Sequence, residues 1–310
     1  MKAMQQDYPI GELCAAFGVS RSGYQRWRKA APSPRRQEDA QLQGQIRQLH
    51  QQSRQTYGRP RLTAALRKNG ERCSAKRVRR LMQAEGVRGI QRGRFRPQTT
   101  KSGDRAPAPN RLLQRAVATR SGEVWVADIC LHFGRRILGR RSPLRSGSFV
   151  PTREGWLYVA GVMDQGSRRI VGLAFGSRID TALCESALRQ ALAHRRADQP
   201  LIHHSDQGQQ YASARYRELL ETKGITQSMS RKANCYDNAH MESFWATLKT
   251  ECRIQTPFIT RESAQLAVFT YVHTFYNRVR LHSAIGFQFG DKARENNRSP
   301  ILSGQPQQTW

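Results

Sequence analysis

The 310-residue chain predicts an α/β protein, a mixed sheet flanked by helices and preceded by small all-α modules. Three observations carry that expectation. Short runs rich in β-formers, Glu123-Val124-Trp125-Val126-Ala127-Asp128-Ile129 among them, crowd the second half of the chain. Helical stripes separate the later runs, giving strands followed by alternating helices and strands. The first 90 residues hold only helical periodicity, punctuated by glycine, proline and serine.

Residues 1–30 read as a helix-turn-helix. Ile10, Leu13 and Phe17 share one helical face, Gly18 makes the turn, and Ser20 caps a second helix. That helix carries Arg21, Gln25, Arg26 and Arg28, side chains suited to phosphates and base edges; the blander alternative is a basic hairpin that only packs on the protein. Residues 31–56 read as a proline-marked linker, Ala31-Pro32-Ser33-Pro34, and a helix to about His50. Residues 57–90 form a second such module. Its first helix turns Leu62, Ala65 and Leu66 inward and stops at Lys68-Asn69-Gly70. Its second, capped by Ser74, buries Val78, Leu81 and Met82 and leaves Lys76, Arg77, Arg79 and Arg80 outside as candidate DNA contacts. Residues 91–120 are rich in Arg, Pro and Gln and read as a flexible basic connector.

Residues 121–290 hold the sheet. Strands are expected at 123–130, 156–164, 168–176, 200–205 and 225–229, with helices at 180–195 and 212–223, a helix bearing Glu242, and one from Ser263 to Tyr276. The last packs through Leu266, Val268, Phe269, Val272 and Phe275. This order matches a ribonuclease-H-like fold, in which ligands lie at the carboxyl ends of strands. Residues 291–310 read as a tail.

Lys and Arg total 52 against 23 Asp and Glu, a formal net charge of +29, which points to a polyanionic partner. No apolar run approaches the roughly 20 residues of a membrane-spanning helix, and the start lacks the apolar core of a secretory signal. The six cysteines lack paired CxxC spacing, so neither a zinc module nor a disulfide framework is expected. A reducing cytoplasm fits that composition.

Against this charge, three acids stand out. Asp128 ends one β-run, and Asp206 ends another, Leu201-Ile202-His203-His204-Ser205-Asp206. Glu242 borders the helical stripe Met241, Phe244, Trp245, Leu248 and Cys252, with Asn238 one turn before it and Lys249 two turns after. Two strand-end aspartates and a helix-borne glutamate are hard oxygen donors, suited to magnesium or manganese and not to zinc. A pair of such ions roughly 3.5–4 Å apart flanks a scissile phosphate in two-metal enzymes. Asp164 and Asp237 are the rivals; Asp164 reads as closing a strand-turn and Asp237 as capping the glutamate helix.

At these residues the chain resembles the transposases of the bacterial insertion sequence 3 family, specifically the second-reading-frame (OrfB-type) protein with a retroviral-integrase-like catalytic core. The carriers are Trp125 to Ile129, Pro151 to Tyr158, His204-Ser205-Asp206-Gln207-Gly208 with Gln210-Tyr211, Asp237-Asn238-Ala239 with Glu242-Ser243, Leu248-Lys249 with Glu251, and Tyr276-Asn277 with Arg280 and His282-Ser283-Ala284. The resemblance implies that Asp128, Asp206 and Glu242 are the metal-binding catalytic triad. It also implies two bound ions, binding of terminal inverted repeats, strand cleavage and strand transfer on double-stranded DNA, a homo-oligomer on the DNA, and an upstream-frame partner or fusion. Asn238, Lys249 and Arg280 join the candidate DNA contacts; for Asn277, Arg278, Arg280 and His282 a capping role stands beside a DNA-facing one.

Two departures from the family stand out. An arginine-rich insertion at about 130–150 follows Asp128 directly, and Gly286-Phe287-Gln288-Phe289-Gly290 lacks the Thr-Pro that the family shows after His-Ser-Ala. The insertion reads either as a basic loop touching DNA or as the mark of a decayed copy. A catalytically inactive DNA-binding regulator and a nuclease without strand transfer are the alternative functions.

Overall fold

The computed structural model describes residues 2–90, 107–113, 118, 120–129, 150–193, 195, 199–231, 235–252 and 258–296. Serines cap three of the five α-helices in its first 90 residues. α1 (Ile10–Ala16) and α2 (Arg21–Lys29) form the first hairpin, and Ser20 Oγ accepts from the Gly23 amide at 3.0 Å. Leu13, Cys14 and Tyr24 are buried there, whereas Phe17, on the same expected helical face as Leu13, is 53% exposed. α3 (Pro34–Gln52) begins on a Ser33 cap with proline in its first turn. α4 (Arg59–Lys68) and α5 (Ala75–Ala84) follow, α5 capped by Ser74. Leu42 and Ile46 of α3, the helix expected after the proline-marked linker, pack with Leu62, Leu66, Val78 and Leu81, so α3 shares one core with α4 and α5.

Alternation along β1 (Val124–Ile129) sorts the rest of the chain into two layers. Val124 and Val126 enter one buried cluster, Trp125, Ala127 and Ile129 the other. β1 pairs antiparallel with β3 (Gly155–Asp164), which pairs antiparallel with β2 (Val150–Thr152) and with β4 (Ile170–Gly176). On its other side β1 runs parallel to β5 (Leu201–Ser205), and β5 parallel to β6 (Ile225–Met229). The sheet is therefore mixed, with order β2-β3-β1-β5-β6 and β4 also on β3.

α6 (Thr181–Leu192), α7 (Gln209–Ala212) and α8 (Ala214–Thr222) cover one face. α9 (Ala239–Glu251) and α10 (Arg261–Thr270), which runs on into a π-helical turn Tyr271–Tyr276, cover the other. The buried line of that segment is Ala264, Val268, Tyr271, Val272 and Phe275; Leu266 and Phe269, expected to pack, are 65% and 49% exposed. They lie on the opposite side of a helix that has only one covered face.

The helical unit docks on this second layer and shares its cluster. Tyr57 bridges the chain at 279–281: its hydroxyl donates to the Val279 carbonyl at 2.9 Å and accepts from the Leu281 amide at 2.8 Å. Arg61 Nε donates to the Leu281 carbonyl at 2.9 Å. Part of the connector expected to be flexible is also docked. The Arg111 amide donates to Ser228 Oγ at 3.0 Å and the Ala108 amide to Met229 Sδ at 3.4 Å, along edge strand β6. The start of the expected tail is helical: α11 (Gly290–Asn296) holds Asp291 2.5 Å from Arg169. The arginine-rich insertion, at 130–149, lies outside the described residues, and Val150 already starts β2. Among the described residues no helix is long and apolar enough to cross a membrane.

Candidate active site

Asp128 follows the parity of Val124 and Val126 and so turns toward α9. Its register partner on β3 is Gly161. A Cβ there would stand 3.0 Å from Trp245 Cη2 and 3.1 Å from Met241 Cε, so the glycine makes room for the indole. Trp245 Nε1 uses that room to donate to Asp128 Oδ2 at 3.1 Å, while Oδ1 accepts from the Ile129 amide at 2.9 Å. Sequence reasoning assigned Trp245 to the buried stripe and missed both this contact and Gly161. The signal available was a glycine inside an otherwise apolar strand.

Asp206 reaches the same end of the sheet because β5 runs parallel to β1, with His204 opposite Val126. Its Oδ1 accepts from the Gly208 amide at 3.0 Å. Glu242 stands in the first turn of α9, half-buried. Burial pushes the Asp128 carboxyl well above the usual carboxylate range, and the charges of Asp206 and Glu242 push it further; together these outweigh the Ile129 and Trp245 hydrogen bonds. Burial also raises Glu242. The fold thus brings all three acids into one electrostatic neighbourhood.

Among the described residues no group of three or more His, Cys, Asp or Glu side chains is arranged to hold a metal ion. The donor chemistry nevertheless fits a divalent cation: the donors are carboxylate oxygens, and Asp128 is destabilised by like charge that a cation offsets. Beside Asp128, the buried Asn238 Oδ1 has no hydrogen-bond partner.

The two rival acids have other work. Asp164 closes a turn as expected, accepting from Ser121 Oγ, the Gly122 amide and Ser167. Asp237 does not cap α9. It accepts from Asn110 Nδ2 and from the Arg231 amide, both at 2.9 Å, and pins the connector to the loop before the helix. Buried His204 stands between Ser228 and Ser230, at 2.8 and 3.1 Å.

The candidate DNA contacts divide. Arg21, Arg26 and Arg28 are exposed on α2 and Gln25 is half-buried; Lys76 and Arg79 are exposed on α5. Arg77 and Arg80 are engaged by Asp39 at 2.8 and 2.5 Å, and Arg77 also by Glu38. Lys249 is half-buried on α9. Two expectations need correction. Asn238 is buried and its Nδ2 donates to the Ala127 carbonyl at 3.1 Å, which ties α9 to the strand residue before Asp128. Arg280 is 3% exposed and paired with Glu251 through two hydrogen bonds of 2.8 Å, so it does not face DNA. Asn277 is likewise internal, accepting from the Ile170 amide and donating to its carbonyl. His282 is buried too, which leaves Arg278 exposed in that group.

Models described as an integrase core domain match residues 118–235 and 223–288, and one described as an HTH-like domain matches 36–95. The insertion element IS600 31 kDa protein of Shigella sonnei is 41% identical over 274 residues, covering 88% of this chain and 94% of that protein. Transposase InsF for insertion sequence IS3A of Escherichia coli strain K12 is 34% identical over 284 residues, covering 91% and 92%. Among solved structures, the HTLV-2 integrase catalytic core domain in complex with magnesium aligns over 56% of this chain and 97% of its own, at 13% identity and a TM-score of 0.40. The identities, sustained over nine-tenths of the length, place the chain in the insertion sequence 3 family of bacterial transposases.

Proposed function

We propose that Asp128, Asp206 and Glu242 are the catalytic acids of this transposase and that they hold magnesium or manganese, two ions, during cleavage and joining of DNA strands. The observation that carries this reading is geometric: the adjacent parallel strands β1 and β5 run toward the same end of the sheet, to Asp128 and Asp206, and α9, which bears Glu242, sets Trp245 on Asp128. When bound there, divalent ions supply Lewis-acid polarisation of the phosphodiester oxygens. The protein's own groups orient the site: Trp245 fixes one oxygen of Asp128, and the Gly208 amide fixes one of Asp206. Asn238 sets the start of α9 against β1, and with it the placement of Glu242. Lys249 lies two turns further along α9, where its ammonium steadies the DNA backbone.

Cleavage at an element end is attack by water on phosphorus with departure of the 3′ oxygen as a hydroxyl. In strand transfer that hydroxyl attacks a second phosphodiester, whose own 3′ oxygen leaves. Positioning supplies the catalysis, and no covalent protein intermediate is needed. Exposed Arg21, Arg26, Arg28, Lys76 and Arg79 hold the terminal repeats, in a cytoplasmic, nucleoid-bound complex of at least two copies with any upstream-frame partner or fusion.

The test incubates the full chain with duplexes carrying the element's own ends and magnesium or manganese. Nicks at the ends and joined products without ligase are expected, and Asp128→Asn is expected to bind these duplexes without cutting them. Nicking without joining would show a nuclease. Binding without either product would show an inactive regulator and end the catalytic reading.

A further inference from the structure

The helical unit carries a groove that the catalytic site does not use. It is open, of ≈1020 Å³, and lies between the start of α4, the far end of α5 and the segment 86–90. A crossing of glycines builds it. A Cβ on Gly89 would stand 2.5 Å from the Gly58 backbone, so the two stretches of chain pass in direct contact. The Ile90 amide, donating to the Thr56 carbonyl at 3.3 Å, and His50 Nε2, 3.1 Å from the Arg88 carbonyl, fix that crossing. Its result is that Arg59, Arg79 and Arg88, far apart in sequence, line one groove, each with an exposed side chain.

Among the described residues no acidic side chain lines the groove. The nearby acids are engaged on the α3 side: Glu38 and Asp39 with Arg77 and Arg80, and Glu85 with Arg47. α5 therefore bears two kinds of arginine, those compensated by α3 and Arg79, which faces the groove. Met82 and Val87 give the groove apolar lining, and above Gly86 a Cβ would meet nothing within 4 Å. Three guanidinium forks around an open, partly apolar channel match a strand of alternating phosphates and deoxyribose rings.

We propose that this groove seats the sugar–phosphate backbone of duplex DNA, with Arg59, Arg79 and Arg88 on its phosphates and Arg77 and Arg80 taking no part. The proposal rests on the DNA-transposase reading and names a contact surface within it. Arg59 lies between Tyr57 and Arg61, whose side chains hold the chain at 279–281, so DNA in the groove is held by the same stretch that anchors the catalytic layer.

The test measures binding of the full chain to a mixed-sequence duplex and to an element-end duplex across a salt series. Each phosphate contact adds about 0.9 to the slope of log affinity against log salt, so replacing all three arginines by glutamine lowers the slope by roughly 2.7. Arg77→Gln leaves it unchanged. Should the triple variant unfold at a lower temperature, Arg88→Gln alone lowers the slope by about 0.9. A triple variant with the slope of the parent overturns the groove and leaves the transposase reading standing. A parent chain that binds neither duplex overturns both.

Discussion

α9 carries two acids, Glu242 in its first turn and Glu251 at its end, in opposite surroundings. Burial raises Glu242, and burial with the charges of Asp206 and Glu242 raises Asp128, so both carboxyls sit above their ordinary range. Around Glu251, burial also acts to raise the carboxyl, but the Arg280 hydrogen bonds and charge, the Tyr271 hydroxyl and Arg61 outweigh it and hold the group below its ordinary range. One end of the helix belongs to a cluster in which like charge and burial raise Asp128, the other to a hydrogen-bonded ion pair. An acid closed on an arginine is satisfied within the chain, whereas acids held against one another's charge suit a cation.

The contrast yields expectations that differ in size and sign. Asp128→Asn is expected to lower end cleavage about 10³-fold or more, since the metal-facing acid supplies several kcal/mol of transition-state stabilisation. Its thermal midpoint should hold or rise, because a repelling buried acid is gone. A marked fall in the midpoint would make Asp128 a structural residue and dissolve the contrast. Arg280→Met is expected to cost about 3–5 kcal/mol in denaturant unfolding by stranding Glu251, and adding Glu251→Leu should recover most of it. A cost under about 1 kcal/mol would mean that the pair does not hold this end together.

The two ends also separate by pH. Glu251, depressed in the folded state, gives stability that is present above its unfolded value and is lost as pH falls through the folded one. Asp128, raised, contributes in the opposite sense: its cost at neutral pH fades as pH falls. His282 beside Arg280 is pushed down to about 3 by burial and by the arginine's charge. The unfolded chain therefore takes up a proton below about pH 6.5 that the folded chain refuses, a loss of about 2 kcal/mol by pH 5. Buried His203 and His204 and half-buried His240 are depressed in the same sense, so the His282 share is the difference between the parent and His282→Asn in the change of denaturant midpoint from pH 7 to pH 5. A variant that loses as much as the parent removes this cause. Trp245→Phe keeps most of the ring but deletes the donor to Asp128; cleavage is expected to fall about tenfold with little change in binding. The smallest effect is a shift of a few degrees in thermal midpoint on adding magnesium, absent in Asp128→Asn. An equal shift in both proteins would place the ion elsewhere.

Local pattern made much of this legible. β1 and β5 appear within a residue of their expected bounds and Glu242 lies on a helix as expected, because two- and 3.6-residue periods are printed in adjacent residues. What pattern could not convey was partnership across distance. Arg280 reads as DNA-facing until Glu251, 29 residues earlier, is seen to close on it, and Asn238 until the Ala127 carbonyl, 111 residues away, takes its amide. Trp245 reads as packing because its ring does pack, and only the register that sets Gly161 opposite Asp128 reveals the second task of its nitrogen. Leu266 and Phe269 satisfied a helical stripe that the fold covers on one side alone.

The phenol of Tyr57, lodged between the Val279 carbonyl and the Leu281 amide, ties the helical unit to the layer that carries α9. The two parts share one interior, so neither turns independently without breaking it. On the proposed reading, a DNA end gripped by the helices would be presented to the acids at a span set by the protein. The molecule would then work as a ruler, with the offset between the sequence held and the bond cut written in the packing of Tyr57 and Arg61.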